Sequence, residues 1–230
     1  MTEIRGTASA GLTSESAAPE STRVANELRN WIIRGQLSPG ESIRQADVAA
    51  NLKVSRVPVR EALTVLEVEG LVEHKMNAGY AVTRWSADDL RQINLMRGLL
   101  ESQLIDSMRW PDDQEFDRLL AIHDRIAKET ERINTVNIIV LNRSFHFTIF
   151  QWSDLKRVAE EVGRLWHISD AYRSIYLHDQ MALKRVVHDH EQIIERIRLK
   201  DRVGLADVIQ AHRQEAADRV IEYLQAMGRE

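Results

Sequence analysis

Apolar residues recur at three- and four-residue spacing through most of the chain, which predicts helix after helix. Val24, Leu28, Trp31 and Ile32 mark one over residues 21–35, ended by Gly35. After a Pro39-Gly40 turn, Val48, Ala49 and Leu52 mark a short one over 45–52. A tight turn at Lys53 leads to a third, capped by Ser55, with Pro58 in its first turn where a missing N–H costs nothing. Val59, Leu63, Leu66 and Val68 form its buried stripe, and Gly70 stops it. Residues 71–74 and 80–84 then pair as two strands about a turn at 75–79, where Asn77-Ala78-Gly79 tolerates positive φ.

Beyond Ser86-Ala87-Asp88-Asp89, which reads as a helix cap, the helical spacing takes over almost completely. Leu90, Ile93, Leu95, Met96, Leu99 and Leu100 lead toward Trp110, where Pro111 forces a break. Further helices follow over 112–131, 135–152, 154–176, 181–199 and 202–227, the last capped by Asp201. The expected fold is mainly α, a winged helix-turn-helix followed by an all-helical bundle of about six helices. Residues 1–20 hold few large apolar side chains and read as a disordered tail, 21–85 as the winged unit and 86–230 as the bundle.

Composition narrows the chemistry. With no cysteine, disulfides and thiolate metal sites are excluded. No apolar run approaches the roughly 20 residues that span a bilayer, and no signal-like hydrophobic core opens the chain, so a cytoplasmic protein without a membrane partner is expected. The formal net charge of −4 divides unevenly. Residues 21–85 carry nine basic against seven acidic side chains, whereas 86–230 carry 21 against 25. A weakly basic unit gains useful affinity for nucleic acid when two copies act together.

Within that unit, Arg56 and Arg60 stand one turn apart at the start of the third helix, the arrangement that carries guanidinium forks into a DNA major groove. In isolation such arginines belong to a solvated face paired with Glu61 or Glu67. Lys75, Asn77 and the bare backbone at Gly79 suit contacts by a wing tip to the neighbouring minor groove or phosphates.

Three helices of the bundle carry a histidine on the inward stripe. Ile138, Asn142, Phe145, His146 and Ile149 share one face; Val186, Val187, His190, Ile194 and Ile197 another; Leu205, Ile209, His212, Ala216, Val220 and Tyr223 a third. Three imidazoles and an amide oxygen therefore point toward one core, and imidazole suits zinc, nickel or iron with positions left open for a ligand. His188, about 200° round its helix from His190, belongs on the surface. His74, His123, His167 and His178 show no such pattern and read as structural. Arg97, one turn before Glu101, and Arg173, flanked by aromatics, are candidates to fork onto an acid, each with an intramolecular salt bridge as its plain alternative.

The segments GQLSPGESI, LKVSRVPVREALTVLEVEGLVEH and NAGYAV closely resemble the winged-helix domain of the GntR family of bacterial transcription regulators over about residues 22–84. By that resemblance Ser55, Arg56, Arg60 and Gly79 correspond to operator-contacting positions. The preceding helix of the family often supplies a basic contact near Gln45 or Ala46; neither is basic here, which leaves Arg44 as the neighbouring candidate. Asn142 with His146, His190 in HDHEQIIERI and His212 in AHRQEAADRVIEYL resemble the FCD ligand-binding domain of the FadR-like branch over about 90–225. The resemblance implies a divalent cation, zinc or nickel, held by those four residues, and a small organic acid completing its shell. Asn142 stands where the family commonly has Asp, so the site carries one negative charge fewer.

The expected function is a homodimeric regulator, a repressor, whose grip on a palindromic double-stranded operator is controlled by an organic acid at the metal. Two alternatives remain open at this point: a regulator with a metal-free effector pocket, and a metal-dependent hydrolytic enzyme. The second lacks an H-E-x-x-H glutamate beside the histidines and leaves the winged unit without a purpose, so the chain is not expected to be an enzyme.

Overall fold

The computed structural model describes residues 19–176 and 180–227, side chains of 173–176, 180 and 227 excepted. The expected tail, apart from its last two residues, and His178 lie outside the described residues. Among those described, nine helices and one three-stranded sheet follow in order: α1 Glu20–Ile33, β1 Ser42–Ile43, α2 Gln45–Leu52, α3 Arg56–Val68, β2 Val72–Lys75, β3 Gly79–Val82, α4 Ala87–Ser107, α5 Asp113–Glu131, α6 Thr135–Phe150, α7 Lys156–Tyr176, α8 Gln180–Arg198 and α9 Arg202–Met227. None of the helices described is long and apolar enough to cross a membrane.

Helices α1 to α3 and the sheet share one core, with Val24, Leu28, Val59, Leu63 and Leu66 fully buried. Val68 departs from the expected stripe and is 72% exposed. It follows Leu66 by two residues, about 200° of helix, so both cannot face one core. Ser55 occupies the N-cap of α3 in extended backbone, but its side chain makes no capping hydrogen bond. The wing also gains a strand that apolar spacing does not reveal. Ser42–Ile43 is too short to show alternation, yet pairs antiparallel with β3 to give the order β1-β3-β2. At the hairpin tip Asn77 and Gly79 both take positive φ (62° and 80°), as the turn residues predict.

Helix α4 opens on a reciprocal capping box between Ser86 and Asp89, and α5 on one between Asp112 and Glu115. Arg202 at the start of α9 donates to the carbonyls of Ile105, Asp106 and Met108, satisfying the open end of α4 before Pro111. The inward stripe of α4 is Leu90, Ile93, Arg97, Glu101, Leu104 and Ile105. Leu95, Met96 and Leu99 face outward, 62%, 43% and 62% exposed, because the stripe is set by a buried ion pair that hydrophobicity alone ranks as surface. Tyr223, expected on the inward stripe of α9, is likewise exposed.

Candidate metal centre and nucleic-acid interface

The helical spacing that buries Ile138, Phe145 and Ile149 also turns Asn142 and His146 of α6 into the bundle. There they meet His190 of α8 and His212 of α9, all four side chains buried. The three imidazole centroids form a near-equilateral triangle, 5.2 Å on each side, and one nitrogen from each ring lies within 4.8 Å of the others. Phe145 stacks on the His190 ring at 4.0 Å, and Trp166 packs 5.1 Å from His146. These aromatic walls lower the local dielectric and strengthen any charge held between the rings.

Two details favour a ligand set over three core histidines. His212 uses Nδ1 in a 2.8 Å hydrogen bond with the Asp189 carboxylate, which fixes Nε2 as its lone-pair nitrogen, the carboxylate–histidine arrangement found behind metal ligands. The Asn142 amide is buried with neither Oδ1 nor Nδ2 hydrogen-bonded among the described residues, a state that costs about 1–3 kcal/mol unless a ligand satisfies it. The donor set therefore fits a divalent cation of the zinc or nickel kind.

Asp189 escaped the sequence reading because it stands one residue, about 100°, off the stripe of His190. His123, expected to be structural, neighbours the cluster without joining it. Half-buried on α5, it lies 6.2 Å from the His190 ring, and burial in these apolar surroundings lowers its pKa. His188, by contrast, is exposed beside Glu191.

Arg97 is not an open anion hook. It donates to Glu101 at 2.9 Å and lies 4.1 Å over the Trp166 ring. Glu101 also accepts from Trp166 Nε1 at 2.7 Å and from Arg213 at 3.4 Å. Arg213 crosses α4 at Gly98, where an added Cβ would stand 2.5 Å from the guanidinium. The Arg173 side chain lies outside the described residues. Two narrow cavities flank this region, about 30 Å³ beside Arg97, Tyr172 and Arg213 and about 20 Å³ beside Arg185, Asp189 and His212. Each has room for a water or two, so a multi-carbon acid enters only if neighbouring side chains move.

At the other end of the molecule, Ser55, Arg56 and Arg60 are all exposed on α3, and neither arginine forms an ion pair among the described residues, with Glu61 and Glu67 included. Val57, 60% exposed between them, adds an apolar contact surface that the reading by charge passed over. Lys75 and Asn77 are exposed on the wing, Lys75 resting 3.2 Å from Glu73, with Gly79 half-buried beside them. Arg44 is exposed at the N-cap of α2, on the rim of a cleft lined by Trp31, Glu41 and Asp47. The two arginines thus share the start of α3 with Ser55, while Lys75, Asn77 and Gly79 belong to the wing hairpin and Arg44 to the N-cap of α2.

Comparison with known proteins agrees with this division of labour. Residues 20–82 match the bacterial regulatory proteins of the gntR family, and residues 92–215 match the FCD domain. The chain is 29% identical over 195 residues to the HTH-type transcriptional regulator YdhC of Bacillus subtilis, covering 81% of this chain and 84% of that one. It is 26% identical to the Nta operon transcriptional regulator of Aminobacter aminovorans, covering 81% and 87%. The solved structure of Escherichia coli McbR/YncC superposes with a TM-score of 0.76 at 21% identity, over 92% of this chain and 99% of that one, a likeness of fold. These relatives are regulators and not enzymes. A winged helix matched at one end and an FCD domain spanning more than half of the chain make this protein a member of the GntR family of DNA-binding transcription regulators.

Proposed function

We propose that the protein is a cytoplasmic homodimeric repressor whose binding to a palindromic operator is set by a small organic acid at a divalent metal. Asn142, His146, His190 and His212 hold the metal, and residues 21–85 and 86–230 act as DNA-binding head and sensor. The observation that carries this reading is the triangle of imidazoles with one nitrogen from each ring within 4.8 Å, beside a buried amide that no described residue satisfies. When bound, zinc or nickel would supply a positive charge able to take an effector carboxylate. Asp189 orients His212, Trp166 and Phe145 exclude water, and Glu101 holds Arg97 in place over Trp166. Arg173 is the guanidinium candidate for the rest of the acid, and Arg97 becomes one only by leaving Glu101.

On the DNA side, Ser55, Arg56 and Arg60 address base edges in the major groove. Lys75, Asn77 and Gly79 address the flanking groove or backbone, and Arg44 addresses phosphate. A homodimer suits this arrangement, because α4 leaves Leu95, Met96 and Leu99 exposed on one face. The effector acts only through its different affinity for two arrangements of the heads; driving them from 1:99 to 99:1 takes about 5.5 kcal/mol.

The test is elemental analysis of protein purified without chelator or nickel resin, together with a thermal-shift screen of small organic acids with and without chelator. The proposal requires near-stoichiometric metal and an acid whose shift disappears with chelator, followed by release of operator in a gel shift. An acid that shifts the melting curve equally after metal removal would transfer the effector to a metal-free pocket.

A further inference from the structure

Arg143 stands in sequence between the two α6 residues assigned to the metal, yet it turns the other way. Its guanidinium donates to the Gly163 carbonyl at 3.0 Å, meets His167 Nε2 at 3.2 Å and reaches Asp170 at 3.5 Å, all three partners on α7. It also lies 4.6 Å over the Phe147 ring, which packs edge-on against Trp166, the neighbour of His146. A guanidinium is a rigid fork, and one engaged with three groups of a facing helix ties the two helices in translation and rotation.

The far side of α7 belongs to the head. Ile168 packs at Gly70 just past α3, Ala171 packs against the core of the winged unit, and the Tyr172 hydroxyl accepts the Trp85 backbone N–H at 2.7 Å. The part-buried ion pair between Arg29 of α1 and Glu69 after α3 completes the seam, and its field reaches both Arg143 and His167. A continuous physical path thus runs from Asn142 and His146 to α7, through the Arg143 fork and beside it through the packing of His146 on Trp166, and from α7 to the DNA-binding core.

We infer that Arg143 is the positioning residue that couples occupancy of the His146–His190–His212 centre to the DNA-binding head. With Asn142 and His146 holding a metal, α6 would be fixed, Arg143 would carry the restraint to α7, and α7 would restrain α1 and the Gly70 turn. The inference rests on the metal reading above. The aromatic contacts of α6 with Trp166 hold the two helices together by packing, whereas the Arg143 fork fixes their register.

Hydrogen exchange of the full chain with and without zinc alone tests it. In the wild type, zinc should slow exchange in α6, α8 and α9 and also, by about fivefold or more, in α7 and in α1, the low end of ordinary coupling strengths. Arg143→Met should bind zinc within about threefold of wild type and keep protection of α6, α8 and α9, while the zinc effect on α1 falls below about twofold. A purely structural role would lower overall stability and leave the zinc-specific protection of α1 in place, which overturns the inference. Should Arg143→Met fail to fold, Arg143→Lys carries the same test, since a point charge keeps the attraction to Asp170 but not the three-way fork. Zinc binding to wild type with protection confined to α6, α8 and α9 overturns the coupling and leaves the metal reading intact. No zinc binding at all overturns the metal reading, and the coupling with it.

Discussion

His212 is oriented by Asp189 in the folded chain, so the pair separates what sequence spacing reveals from what only packing reveals. The histidines are legible because each falls in phase with an apolar stripe; Asp189 is out of phase and becomes a partner only when α8 packs on α9. If it serves a metal ligand, Asp189→Asn should lower metal affinity about 10–100-fold in a competition titration with a chelating dye, with the fold retained. Equal affinity would mean that the hydrogen bond merely settles a core histidine. His167 permits a second test at this scale. Desolvation first, and the Arg143 guanidinium second, push its pKa down to about 4. The unfolded chain then takes up this proton near pH 6.5 and the folded chain only near 4, so His167 stabilises above that window and its contribution is lost as pH falls through it. Urea midpoints between pH 7 and 4 should fall more steeply for wild type than for His167→Gln; parallel curves would sink the assignment.

Helix α3 and its exit turn were readable as an element. Ser55, Pro58 and the apolar stripe mark its start and face, and Gly70 its end, where the chain takes φ +77°. Gly70→Ala should cost about 1–2 kcal/mol in urea unfolding, the penalty for a Cβ in left-handed backbone, and more if Ile168, 3.4 Å from that Cβ, cannot yield. Arg60→Ala is the complementary change, exposed and without an ion pair, so it should leave melting and metal content unaltered. Loss of one bidentate base contact should weaken operator binding by about 1–3 kcal/mol in a gel shift. Undiminished affinity would remove α3 as the reading helix. The element reading failed where hydrophobicity and burial part company. Strand β1 is two residues long and borrows its order from β3, and α4 buries Arg97 and Glu101 while exposing Leu95, Met96 and Leu99. A buried ion pair satisfied by Trp166 and Arg213 looks like surface in a hydropathy profile, because its partners lie on other helices.

At the scale of the whole molecule, that exposed face is where the proposed homodimer would bring two weakly basic heads together. Leu95, Met96 and Leu99 line one side of α4, and Leu95 and Leu99 border a groove that runs to Ile221 of α9. Apolar side chains at i, i+1 and i+4 on the outer face of a helix suit an association surface. A second copy related by a twofold axis would present the same helix, which makes the contact self-complementary and gives the operator its palindrome. Leu99→Glu would then bury a carboxylate against its own symmetry mate, so sedimentation should move the protein from dimer to monomer with the helical content unchanged. Operator affinity should fall with it by about 10²-fold or more, since the second head no longer binds at the effective concentration set by the first. The loss should be recovered when two Leu99→Glu chains are joined by a flexible tether long enough to span the half-sites. A Leu99→Glu protein that stays dimeric and binds operator normally would move the dimer contact to another face.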